Sequence, residues 1–147
     1  MGVMDSLGLT LDISSFEKRL RIQKIVYMLQ LHPEFKPYLN YSYNLFIRGP
    51  YSPDLAWLYY HIPKDITPAR IDVSKKALTY GRIIASWDND LLEVASTLIE
   101  TMKINRGCPD EEIIDIVTDL KPYFKRNDIR DALRKVKEIK RLFGLVF

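Results

Sequence analysis

One cysteine, two histidines, six glycines and no long apolar run set the first limits on this 147-residue chain. The lone Cys108 has no partner for an intramolecular disulfide, so a reducing, cytoplasmic setting is expected. No run of eighteen or more apolar residues is present, so no membrane span is expected. Met1–Thr10 lacks a basic region ahead of an apolar stretch and does not read as a secretory leader. His32 and His61 lie far apart, and neither has a histidine, cysteine or carboxylate at ligand spacing, so no metal site is expected. The glycine-rich, P-loop and GxSxG signatures of nucleotide and acyl chemistry are missing, and no cofactor is expected. Without repeats or Gly/Ser linkers, residues 1–147 read as one soluble domain.

What the chain does have is an ordinary globular balance, 47% hydrophobic and 28% charged, with a net charge of +3. The charge is unevenly placed. Asp110, Glu111, Glu112, Asp115 and Asp119 follow one another with no base between them. From Lys121 to Arg141, nine bases then face three acids. On the last helix Arg130, Arg134, Lys137 and Arg141 share one face. Such a step marks either a nucleic-acid surface or two helix faces that pair with each other, the second being the plainer reading.

The periodicity predicts a mainly α domain of five or six helices with a small two-stranded β element, a winged-helix-like arrangement being the variant. Residues 1–13 read as a docked or frayed arm. Ser14 or Ser15 opens the first helix, Ser14 and Glu17 standing at capping-box spacing, and it runs to about Leu31. Apolar residues cover most of its circumference, leaving Glu17, Arg21 and Lys24 as the polar wedge; it is expected to be the central helix. Tyr41–Ile47 alternates as a strand should, and Ala69–Val73 is a candidate for its partner. Ser52-Pro53-Asp54 announces a helix to about Ile62 with Leu55, Leu58, Tyr59 and Ile62 inward. Ser74, Asp88, Cys108-Pro109 and Asn127 start four more, the last with Ile129, Leu133, Val136, Ile139 and Phe143 inward.

Two sets of residues resist a purely local account. Gln23 and Gln30 fall between apolar sectors of the first helix, so their amides should be partly buried and need partners. The backbone of the following strand is the expected one, a bound peptide the alternative. On the second helix Trp57, Tyr60 and His61 lie opposite the inward stripe. Either they form an interaction face together with Tyr51, or the C-terminal helices cover them. Cys108 sits at a helix N-terminus, where a thiol pKa can fall, but a nucleophile needs a histidine that the sequence does not place.

Ile22-Gln23-Lys24-Ile25-Val26-Tyr27-Met28-Leu29-Gln30 resembles the "LQKLLYFAQ"-type helix of the Panacea (SocA-like) antitoxin domain. Arg48-Gly49-Pro50-Tyr51-Ser52-Pro53-Asp54-Leu55 resembles the "YGPVxxxL"-type turn and helix that follow it there, and is more similar still to uncharacterised archaeal and bacillar relatives with GPYSPxL. The resemblance covers roughly residues 19–62. It implies a helical domain with a small hairpin that binds and neutralises, or delivers, a protein partner. Gln23, Lys24, Tyr27, Gln30, Gly49, Pro50, Ser52 and Pro53 are the motif residues. Leu78-Thr79-Tyr80-Gly81-Arg82 is similar to the "LTxxGR" opening of a helix in winged-helix regulators, one residue short.

The expectation is thus a non-enzymatic module that binds a protein partner, or a second copy of itself, through the Trp57 face. A DNA-binding regulator using the Arg130 face is the alternative, and an unrecognised hydrolase the third reading.

Overall fold

The computed structural model describes residues 1–147. Its first long helix, α2 (Phe16–Leu29), follows a short α1 (Gly2–Ser6). Ser15 caps α2 by accepting the Lys18 N–H, so the cap is Ser15 and the Ser14/Glu17 capping box does not form. All eight residues from Ile22 to Leu29 are buried, Gln23 and Lys24 included. Lys24 therefore leaves the expected polar wedge and lies inside.

A two-stranded antiparallel sheet comes next, β1 (Asn44–Phe46) and β2 (Gly49–Tyr51), with Leu45 opposite Pro50. The strand is shorter than the alternation suggested, and Ile47 is 83% exposed. Its partner is the GP segment itself; Ala69–Val73 has no regular structure. Ile47 and Arg48 keep negative φ, and Gly49 (φ +93°) takes the left-handed conformation that closes the tight turn.

Next is α3 (Pro53–His61), with Ser52 accepting the Leu55 N–H and Pro53 in the first turn, as the sequence announced. α4 (Lys75–Ser86), α5 (Asn89–Ile104), α6 (Asp110–Leu120) and α7 (Arg126–Phe143) complete seven helices. Ser74 and Asp88 cap α4 and α5 as expected. The cap position of α7 is Lys125, not Asn127, which lies inside the first turn. Arg21 donates to the carbonyls of Ala85 and Trp87 (2.8 Å each), satisfying the last turn of α4.

α2 shares the centre with α5, whose residues Leu92 to Ile99 are all buried. One side of α5 meets α2 and β2, the other α6 and α7. The N-terminal arm is docked: Val3 and Met4 are buried, and Leu7 packs over Gly81 of α4. No helix is long and apolar enough to cross a membrane.

Candidate functional site

The two motif segments, some twenty-five residues apart, are in direct contact. The Gln23 side chain donates to the Ser52 carbonyl (2.9 Å) and accepts the Ser52 N–H (2.8 Å). One buried amide thus does for Ser52 what a neighbouring strand would do. Lys24 Nζ donates to the Pro50 carbonyl at 2.6 Å. Gln30 repeats the Gln23 arrangement on Tyr41, donating to its carbonyl (2.9 Å) and accepting its N–H (3.3 Å). Both glutamines therefore bind backbone, which answers the need that their burial created. Tyr27 stands edge-on to Tyr43, with ring centroids 5.1 Å apart, and donates its hydroxyl to Glu100. Gly49 is required twice, by its φ and by space, since a Cβ there would lie 3.1 Å from Thr97 Oγ1 and 3.2 Å from Lys24 Cε.

Beneath the hairpin turn lies a charged cluster that sequence reasoning missed. Glu93 of α5 accepts the Tyr123 hydroxyl (2.7 Å) and pairs with Lys121 (3.5 Å) and Arg48 (3.7 Å). Lys121, 1% exposed, donates to the Ile47 carbonyl. Burial pulls the Lys24 ammonium down to about 8, against the pull of Glu93 and with the push of Lys121 and Arg48. Burial also lowers Lys121 and raises the Tyr123 hydroxyl to about 12. The legible signal was a polar stripe on an otherwise apolar helix: Glu93, Ser96, Thr97, Glu100 and Thr101 fall at helical spacing on α5.

On α3, Leu55, Ala56 and Tyr59 are buried while Trp57 is 63% and Tyr60 56% exposed. The C-terminal helices do not cover them. The His61 ring stacks on Trp57 at 4.2 Å and its Nδ1 lies 2.6 Å from the Trp57 carbonyl, so the two rings hold each other in place. Half-buried Tyr51 does not share that stack; its ring meets the exposed Phe46 edge-on at 5.8 Å on the hairpin.

The acidic and basic segments pair with each other. Arg126 meets Glu111 (3.0 Å) and Asp115 (2.6 Å), and Arg130 also meets Glu111. Lys137 meets Asp110, and Arg134 meets Asp131 (3.1 Å), so Arg141 alone of the four-residue basic face has no ion pair. Cys108 moves opposite to the fall that its helix-end position allowed: partial desolvation, then the Glu112 carboxylate, raise the thiol. No cluster of three metal-binding side chains forms; His32 is buried and His61 exposed. Searches of protein-family profiles, of curated proteins and of solved structures return no match for this chain.

Proposed function

We propose that this domain is a non-enzymatic module that binds a protein partner, as the Panacea-like motifs imply, and that it does so through the outer face of α3. One observation carries the reading: α3 fills its inner arc with Leu55, Ala56 and Tyr59, yet presents a tryptophan and a tyrosine together on the outer arc. Exposed aromatics side by side are costly in water and are enriched at the centres of interfaces. The Trp57–His61 stack is already ordered, so an incoming surface meets a preformed platform. The motif residues act one step back: Gln23 and Lys24 fix the chain at Ser52 and Pro50, and so fix where α3 begins. Functionally they are positioning residues.

The test compares the unmodified protein with Trp57→Ala. An exposed side chain predicts a stability change within about 0.5 kcal/mol, whereas loss of an interface anchor costs about 2 kcal/mol or more of association. Thermal stability, molecular mass by light scattering and the set of co-purified host proteins are measured on both. A variant that is stable yet binds the same partners equally well sinks the proposal. So does salt-sensitive binding of duplex DNA that Trp57→Ala leaves intact, which would move the function to α7.

A further inference from the structure

The turn of the hairpin β1–β2 lies on a polar floor, and the apolar anchors of its strands are half-buried Leu45 and Tyr51, the latter packed on the main core. Asn44, Phe46, Ile47 and Arg48 are exposed; only Gly49 and Pro50 are buried. The attachments at its turn are polar: Lys24 to the Pro50 carbonyl, Lys121 to the Ile47 carbonyl, and Arg48 to Glu93. Two cations thus pair with one carboxylate, Glu93, which also accepts the Tyr123 hydroxyl, and Lys24 feels that carboxylate only at longer range. Lys24 is 3% exposed, has no carboxylate at ion-pair distance, and is covered by the backbone of Gly49. A buried cation without a close counter-ion favours any rearrangement that returns it to water.

We propose that the hairpin is a flap, opening as a unit over the Lys24–Lys121–Glu93 floor while the helices stay folded. Opening of this kind is local unfolding of a short element whose turn is held by polar contacts. It hydrates Lys24 and Lys121 and uncovers Glu93, Ser96 and Thr97 of α5. The inference concerns the hairpin alone and stands whether or not α3 binds a partner.

Proton linkage gives it a signature. In the closed state Lys24 faces Glu93 of α5, Lys121 beyond α6 and Arg48 of the turn, with Glu17 and Arg21 of α2 and Asp90 of α5 lining the same cleft. Closed, it holds its proton only to about pH 8, against an ordinary lysine value of 10.5 once hydrated. The open state therefore binds the proton more tightly, and raising the pH closes the flap. Between pH 7 and pH 9 the opening constant should fall about tenfold.

Amide exchange measured by NMR across that range, corrected for intrinsic rates, reads this constant at the paired residues Gly49 and Tyr51, with α5 amides as the reference. A tenfold fall confined to the hairpin is the expected result. Exchange of the hairpin amides only together with those of α5, or an opening constant independent of pH, overturns the proposal. In Lys24→Met the pH dependence should drop well below tenfold, leaving only what Lys121, also lowered by burial, contributes; the same tenfold fall in that variant overturns the proposal equally. Should Lys24→Met fail to fold, the series on the unmodified protein decides by itself.

Discussion

Gln23 and Lys24 are neighbours in sequence that hold one turn between them. The amide supplies a donor and an acceptor to Ser52, and the ammonium a donor to Pro50. Proline brings no N–H, so a donor alone suffices there. The need of the two glutamines for partners was readable from the helical wheel, because a side chain between apolar sectors must be satisfied inside. The burial of Lys24 was not, because nothing local says that a turn twenty-five residues away will cover it. His32 shows the same limit. A histidine beside Pro33 at a helix end suggests a surface or a capping group; it binds a local amide as a cap would, but its ring is buried among Phe35, Tyr80 and Phe143. Its Nδ1 accepts the Glu34 N–H at 3.1 Å, which requires the neutral ring. Burial lowers its pKa from the ordinary 6.5, with Lys76 assisting and Glu34 opposing. The folded state thus binds this proton less readily than the unfolded chain. Its contribution to stability is complete above pH 6.5 and is lost as pH falls from there through the folded value. Thermal melts between pH 7.5 and pH 5 should show a decline that His32→Gln reduces; an unchanged slope in that variant would place the acid sensitivity elsewhere.

At the scale of elements, helix starts were the most legible feature, because a cap is a local bond between a side chain and an amide three residues on. Ser52, Ser74 and Asp88 were all readable in this way. Asn127 was misread because α7 begins two residues earlier than a cap there implies, without any side-chain cap. The strand was misread because alternation through Tyr41, Tyr43, Leu45 and Ile47 continues past the residues that the hairpin can pair. Gly81, a poor helix former inside α4, has a tertiary reason: a Cβ there would lie 2.6 and 2.9 Å from the two Leu7 methyls. The glycine makes room for the arm at the expense of helix propensity. Gly81→Ala alone should therefore gain less than the roughly 1 kcal/mol that alanine offers in a helix interior. In a Leu7→Ala background the gain should appear in full. A double-mutant cycle by chemical denaturation is expected to return a coupling of about 0.5 kcal/mol or more. Strict additivity would mean that the arm does not press on α4 at this point.

The whole molecule has two clusters of buried apolar side chains, and two helices belong to both. α5 gives Leu92, Ala95 and Ile99 to the larger cluster and Val94 and Leu98 to the smaller. α7 gives Val136 and Ile139 to the first and Ile129, Ala132 and Leu133 to the second. Either cluster therefore loses its wall when the other comes apart, so the chain should unfold as one cooperative unit. Leu98 provides the test, being fully buried in the smaller cluster and absent from the larger. Trp87 is the reporter for the larger cluster, and a Trp57→Phe background leaves it as the sole tryptophan. Leu98→Ala should cost about 2–5 kcal/mol, the range for truncating a buried leucine. In denaturant, Trp87 fluorescence and far-UV circular dichroism should move to lower midpoints together, with an unchanged slope. If the dichroism shifts while the Trp87 transition stays in place, α6 and the first half of α7 melt separately. The acid–base pairs between those helices would then be holding a semi-independent lobe, not the rim of a single core.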